Sequence, residues 1–330
     1  MTIADSITRS SGFAVAEESV AGTAEVTPDL YEYLTDDPNI NPTANTMIFR
    51  SLLSRTALNA ANVGYQTGGT ITTIADPDSI LGYILKWTLG DSSSAVQGGT
   101  SAYKHTFTAE DTIPSFTSWF NRGTALKTKI PYCVISSLTL SQSVEDALRI
   151  SAPFIGQKEV VATDFGTASY SHVIPFTNPN LTVSIDGSPA TGAHNTSLTI
   201  DNGIDTTLGK VHGSMFYTAI VPGARSITGS ISLYFDTATE YKRYWGSTTA
   251  TQPTANVDSV PIILTWDLGI EAGTGYNYKL IITLPSVIYT TTNVSLSGTR
   301  MVQTINFEAM YDTVTAKDIQ IELTNKITTY

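Results

Sequence analysis

The chain has 330 residues with 18 Lys and Arg against 29 Asp and Glu, a formal net charge of −11, and only 14% charged residues. That balance excludes a tightly held DNA or RNA ligand, which needs clustered cations to displace counterions. A charged fraction well below the roughly 25% of an average soluble protein leaves Thr, Ser, Asn and Gly to make much of the surface, and the single cysteine, Cys133, excludes an intramolecular disulfide and a Cys-based metal site.

The first stretch, Met1-Thr-Ile-Ala-Asp-Ser, carries no basic region followed by an apolar run, and no segment approaches the roughly 18 apolar residues of a membrane span. The expectation is a protein made and kept in solution. Further on, short runs rich in Thr, Val, Ile and Tyr are broken by Gly, Pro, Asn and Asp, the pattern of many short strands joined by turns. Strands are predicted over 69–75, 133–140, 147–155, 181–185, 197–201, 226–235, 261–268, 278–284, 302–310 and 318–323. In the last, Ile319, Ile321 and Leu323 share one face while Gln320 and Glu322 take the other. One helix has a start signal. Asp76 is placed to cap it, Pro77 suits the first helical position, and Ile80, Leu81, Ile84 and Leu85 form an apolar stripe, predicting a helix over 77–89.

The sequence also repeats itself. Gly69-Thr-Ile-Thr-Thr-Ile-Ala-Asp76 matches Gly229-Ser-Ile-Ser-Leu-Tyr-Phe-Asp236 in character at an offset of 160, and a short helix follows each Asp, with Leu81, Ile84 and Leu85 answered by Tyr241, Tyr244 and Trp245. Ile113-Pro114 and Trp119 match Val260-Pro261 and Trp266 at an offset of 147. A third match sets the run from Val134 and the run from Ile150 against those from Val287 and Ile305. The fall in offset places extra residues in the first copy, in the Ser/Gly-rich stretch 91–104, which reads as a loop that is flexible or ordered only against a partner. The expected organisation is an arm over 1–42, a first β domain over 43–158, a connector over 159–194, a second β domain over 195–313 and a C-terminal strand over 314–330. The fold class is mainly β: two tandem β-sandwich or barrel-like domains, each with a short flanking α-helix.

No catalytic, cofactor-binding or metal-binding residue is predicted. His105, His172, His194 and His212 stand in different segments without ligand spacing. The acid pairs Glu17-Glu18, Asp36-Asp37, Glu110-Asp111 and Glu145-Asp146 read as solvated turn or arm residues, and Gly68-Gly69 and Gly98-Gly99 fit no phosphate-binding fingerprint.

Gly12-Phe-Ala-Val-Ala-Glu17-Glu18-Ser-Val-Ala-Gly22-Thr23-Ala, followed by Pro28-Asp-Leu-Tyr-Glu-Tyr-Leu34, resembles the opening of phage tail tube proteins, and Tyr103 to Phe107 and Ile113 to Thr117 extend the likeness. The resemblance implies a structural virion protein whose sheets join those of neighbours into a β-barrel lining a tube, with DNA passing transiently and without tight binding. It implies assembly in the host cytoplasm, residence in the virion tail, no membrane, and other tail proteins such as tape measure and terminator as partners. Family members are often single domains in six-membered rings; two copies per chain make a trimer with pseudo-sixfold symmetry the expected ring. Inter-ring contacts are expected from Asp91, Ser94, Gln97, Gly98, Gly99 and Tyr103, and arm contacts from Phe13, Glu17, Glu18, Tyr31 and Tyr33. The rival readings are a surface adhesin or S-layer-like β-protein, and a carbohydrate-active enzyme using Trp119 and Trp266 as sugar platforms; their equivalent places in the two copies favour a core role instead.

Overall fold

The computed structural model describes residues 11–330 except Tyr33, Thr124 and residues 168–172. The fold is mainly β. Its elements are β1 (Ser11–Glu17), β2 (Leu30–Glu32), β3 (Thr43–Arg50), β4 (Ala57–Ile74), α1 (Leu81–Leu89), β5 (Gly90–Val96), β6 (Tyr103–Ala109), β7 (Phe116–Arg122), β8 (Leu126–Ile135), β9 (Ser137–Ser143), β10 (Arg149–Gly156) and β11 (Val160–Val161). They continue with β12 (Leu181–Ile185), β13 (Ser188–Pro189), β14 (Ala193–Asp201), β15 (Ser226–Tyr234), α2 (Thr239–Tyr244), β16 (Ser259–Gly273), β17 (Tyr276–Ser297), β18 (Arg300–Ala309) and β19 (Gln320–Asn325).

Alternation of apolar and polar side chains along these strands forces two layers, because each sheet has one face to bury. In the first half the outer layer is β2, β1, β7, β8 and β11, and the inner layer is β4, β10 and β9. The chain crosses between them at Ser136, where β8 ends and β9 begins; its N–H and hydroxyl both donate to the Pro153 carbonyl. Phe13, Phe116, Phe120 and Phe154 fill the space between layers, and α1 lies in it, with the Trp87 ring stacked on Phe116 at 4.2 Å. A cluster of such buried rings is the largest apolar contribution to the core.

The same pairings occur twice. β1 lies against β7 as β12 lies against β16; β7 pairs with β8 as β16 with the first part of β17; β4 pairs with β10 as β15 with β18; β11 adds to β8 as β19 adds to β17. Residue-level equivalence is fixed by one repeated contact. Gly69 stands opposite Phe154, and Gly229 opposite Phe307. In both places the phenyl ring covers the glycine, and a Cβ on Gly69 would sit 3.1 Å from the Phe154 ring tip. The same Cβ would sit 2.6 Å from the Pro38 carbonyl oxygen, as one on Gly229 would sit 2.6 Å from that of Ser197, so ring and backbone together require glycine at a strand interior that otherwise disfavours it.

Four expectations need correction. Residues 11–32 do not form an arm: β1 is an integral strand between β2 and β7, because Phe13 and Val15 on one side and Ala14 and Ala16 on the other are all buried. Residues 1–10 and Tyr33 lie outside the described residues. The helix begins at Leu81, not at Pro77, and has no side-chain cap of its own. The Asp76 carboxylate accepts from the N–H groups of Asp78 and Val173 instead, and the helix start is served by Glu32, which accepts from the Ile80 N–H at 3.3 Å and from the Ser79 hydroxyl. A carboxylate from β2 thus meets the positive helix end. The stretch 91–104 is no loose loop but the hairpin β5–β6, and β6 also pairs with β19. Finally, Phe154 answers Phe307 at an offset of 153, so the expected match of Ile150 with Ile305 is displaced by two residues.

Candidate assembly surfaces

The inner layers of the two halves are one sheet. β9 pairs with β14 over seven residues, Ser137↔Asp201 to Ser143↔Asn195, so the order runs β4, β10, β9, β14, β15, β18 and then the second part of β17. One face of this sheet covers the core through Leu138, Leu140, Leu198, Ile200, Ile231 and Ile305. The opposite face carries the alternate residues, and these are mostly hydroxyl and amide side chains.

Neighbours on that open face bond to each other across strands. The Thr139 and Thr199 hydroxyls are 3.1 Å apart at the join between halves, those of Ser232 and Thr304 are 3.2 Å apart, and Asn306 Nδ2 donates to Thr291 Oγ1 at 2.7 Å. Bonds of this kind satisfy the polar groups locally, leaving a hydrated surface whose fixed charges are few: the carboxylates Asp201 and Glu308 and two arginines. Across the seven strands the face holds no lysine. Its two arginines stand at strand ends and each has a carboxylate: Arg149 with Asp146 at 2.9 Å, Arg300 with Asp236 at 3.3 Å, the latter guanidinium also over the Tyr234 ring. The Arg149 side chain holds the exposed Asp146 carboxyl below the usual carboxylate range through a hydrogen bond.

The sheet has two edges. Beyond Ile288 no described strand pairs with the outer side of β17, and Thr292, Val294 and Leu296 are partly or fully exposed. Their counterparts on β9, Leu138, Leu140 and Gln142, are buried, because β14 covers them. At the other end the edge of β4 is followed by residues 35–41: Thr70 N–H donates to the Pro38 carbonyl, Thr35 N–H to Thr72 and Asn41 N–H to Gly68. This segment stands where β14 stands beside β15, so each end of the sheet carries half of a junction that is already made once inside the chain.

Two further segments differ sharply despite equivalent positions. Between Pro38 and Gly69 the chain runs out as the ribbon β3–β4, whose tip exposes Met47, Ile48, Phe49, Leu52, Leu53 and Leu58. Between Ser197 and Gly229 it forms the irregular loop 202–225, which lies on the first half. Tyr217 is buried there against Val134, its hydroxyl donates to Gln66 Oε1 at 3.0 Å, and Gln157 Nε2 donates to its carbonyl at 2.8 Å. Ile220 N–H donates to the Tyr132 hydroxyl, and Lys158 Nζ sits 5.3 Å over the Phe216 ring.

The residues singled out in the sequence fall mostly on contacts within the chain. Gln97, Gly98 and Gly99 form the β5–β6 turn, with both glycines at positive φ; Ser101 Oγ donates to the Ala272 carbonyl, and a Cβ on Gly98 would meet the Tyr276 ring at 3.0 Å. The hairpin tip therefore rests on the β16–β17 turn of the second half. Ser94 meets His105 at 2.7 Å, Tyr103 pairs with Val96 and Asn325, and Asp91 is exposed on the outer edge of β5. Phe13 packs on Phe120 at 5.1 Å, and Glu17 binds Lys86 Nζ at 2.7 Å and Trp87 Nε1 at 3.0 Å. Glu18 is a buried hub, accepting from Gly22 N–H, Ser115 Oγ, Thr117 Oγ1 and Tyr132 N–H at 2.7–2.9 Å. Tyr31 donates to the Phe165 carbonyl at 2.7 Å. Trp119 and Trp266 are buried and hydrogen-bonded to Asp164 and Gln142, which leaves neither ring available as a sugar platform. The Cys133 thiol is buried, and burial pushes its pKa well above the usual range. Among the described residues no group of His, Cys, Asp and Glu is placed to hold a metal ion. Sequence reasoning missed the open face and the exposed ribbon; the signal for the first was the run of alternating Ser and Thr at 137–141, 197–199, 228–232 and 291–295.

A two-layered β fold with a continuous polar face, unpaired sheet edges and an exposed apolar ribbon defines a structural protein built for contact with other chains. The family model described as phage tail tube protein matches residues 8–309, and the chain belongs to that family. A search of curated proteins finds no match. The chain is thus a structural tail tube protein and a component of the virion tail.

Proposed function

We propose that three chains close into a ring by repeating between chains the junction that β9 and β14 make within one. The outer side of β17 over residues 289–297 pairs with the segment 35–42 of the next chain, so that both edges of the seven-stranded sheet are used. The seven-stranded open face then lines the bore, each half occupies one of six similar positions, and the rings stack into a tube through which DNA is ejected into the host. Contacts between rings come from surfaces outside the bore, the exposed outer edge of β5 with Asp91 among them.

The observation that carries this reading is the open face. Ser, Thr and Asn hydroxyls and amides cover it across both halves, its only cations are neutralised at strand ends, and a polyanion sliding past displaces no bound counterions. A face this polar and this broad gains nothing from burial against another protein surface, and it suits a water-filled channel. Negative-stain microscopy and native mass measurement of recombinant protein test it: rings of three chains with six similar lobes are expected. A species that remains monomeric across concentration and salt refutes it.

A further inference from the structure

We infer that the β3–β4 ribbon of one chain seats on the second half of its neighbour, over Ile288, Glu308, Met310 and Tyr311. This assignment rests on the ring proposed above and names the contact that reinforces each junction between chains.

The argument starts from chain length. Residues 39–68 and 198–228 connect equivalent points, Pro38 to Gly69 and Ser197 to Gly229, and differ in length by a single residue. The second of these segments folds back as loop 202–225 onto the half whose β9 its own β14 pairs with, and its footprint there includes Val134, Ile155, Gln157 and Lys158. The register that sets Phe154 against Phe307 makes Ile288, Glu308, Met310 and Tyr311 the counterparts of those four residues. Among the described residues nothing plays the loop's part on the second half: Met310 is 45% and Tyr311 63% exposed.

The first segment touches loop 202–225 at its base, where Tyr65 N–H donates to the Met215 carbonyl and Gln66 accepts from Tyr217, but among the described residues its tip has no such resting place. Its tip holds Leu52 and Leu53 almost completely in solvent. A two-stranded ribbon carrying that much exposed apolar surface is marginal alone and marks a contact site. If the next chain's segment 35–42 pairs with β17, its ribbon starts from the place β14 occupies in the internal junction, and the same fold-back lays it across Met310 and Tyr311. Charge agrees with the placement: Arg50 and Arg55 flank the ribbon tip, and Glu308 replaces Ile155 in the footprint.

The experiment uses the full chain carrying Leu53→Cys and Met310→Cys, treated after assembly with a bis-maleimide about 10 Å long; Cys133 is buried and does not compete. Docking within the ring predicts covalent dimers and trimers on a denaturing gel and no larger product, with neither single-cysteine variant giving more than a tenth of that yield. Rings by microscopy without cross-linked product overturn the docking and leave the ring standing. A ladder extending past trimer places the ribbon on the next ring and also overturns it, and absence of rings together with absence of product overturns both.

Discussion

Replacing Thr139 by Lys places a cation at the centre of the open face, beside Thr199 and at the join between the two halves. The side chain points away from the core, so the fold tolerates the change and the chain still assembles. Each ring of three chains then presents three new ammonium groups to the bore. If each neutralises one phosphate, log K falls with log salt at a slope of about −2.7, and binding weakens about 40-fold between 50 and 200 mM salt. The assay is fluorescence anisotropy of a short labelled duplex with purified tubes, titrated with salt. The parent tubes are expected to show no retention, and the variant retention with that slope. Thr313→Lys, in an exposed turn outside the sheet, is the control and is expected to retain no more than the parent. Retention by the parent at 200 mM salt, or equal retention by both variants, refutes the assignment of this face to the bore.

Two further outcomes test the packing. Arg243 is buried on α2 and binds Asp186 at 2.6 Å and both Glu240 and Asp258 at 3.2 Å; burial opposes its charge, but Asp186 and Glu240 outweigh it and hold the guanidinium firmly protonated. Arg243→Met removes the cation shared by three carboxylates, of which Asp186 is half exposed and screened and Glu240 keeps the Tyr289 hydroxyl, for a loss of about 3 kcal/mol and a fall in Tm of about 4 °C; a change under about 2 °C by calorimetry contradicts the hub. His105 is buried, with Nδ1 facing the Ser94 hydroxyl and Nε2 facing Asn325 Oδ1, and burial lowers its pKa despite the Asn325 bond and the nearby Asp78. The unfolded chain therefore takes the proton first, and stability is lost as pH falls below about 6.5 toward the folded pKa. Tm measured from pH 8 to 5 is expected to fall more steeply for the parent than for His105→Gln, and parallel curves contradict it.

The strands were legible because side-chain alternation is a local property: 181–185 and 226–235 are read almost to the residue from their Val, Ile and Leu spacing. The glycine in each repeated strand was legible as a match but not as a cause, since its reasons are a carbonyl some 30 residues before it and a phenylalanine some 80 residues after it. The two-residue slip in the third match has a simple origin. A shift of two keeps every side chain on its own face, so Ile150 against Ile305 satisfies the pattern as well as Phe154 against Phe307, and only the strand partner decides. The arm was misread for a related reason: Ala14 and Ala16 look unremarkable in sequence, yet small side chains are what permit β1 to be buried on both sides. The hairpin β5–β6 was hidden by its Ser and Gly content, because its order comes from β19 and from the β16–β17 turn, both far along the chain.

The unequal treatment of two equivalent segments follows from what fusion does to a junction. Inside the chain, β9 and β14 are held near each other by a connector, so their pairing is a unimolecular event and the covering loop 202–225 needs little apolar area; Tyr217 and Ile220 suffice. On the proposed ring, the junction between chains must also offset the lost freedom of a whole subunit, a cost of several kcal/mol at least. The ribbon carries the additional apolar side chains that this requires, Leu52, Leu53 and Leu58 among them, and presents them on a regular two-stranded support instead of an irregular loop. Substituting Leu52 and Leu53 by Asp is accordingly expected to raise the concentration at which rings form by at least tenfold in sedimentation velocity while leaving the Tm of the dilute chain within about 1 °C of the parent, because neither side chain touches the core. Ring formation at the parental concentration would show that edge pairing alone closes the ring.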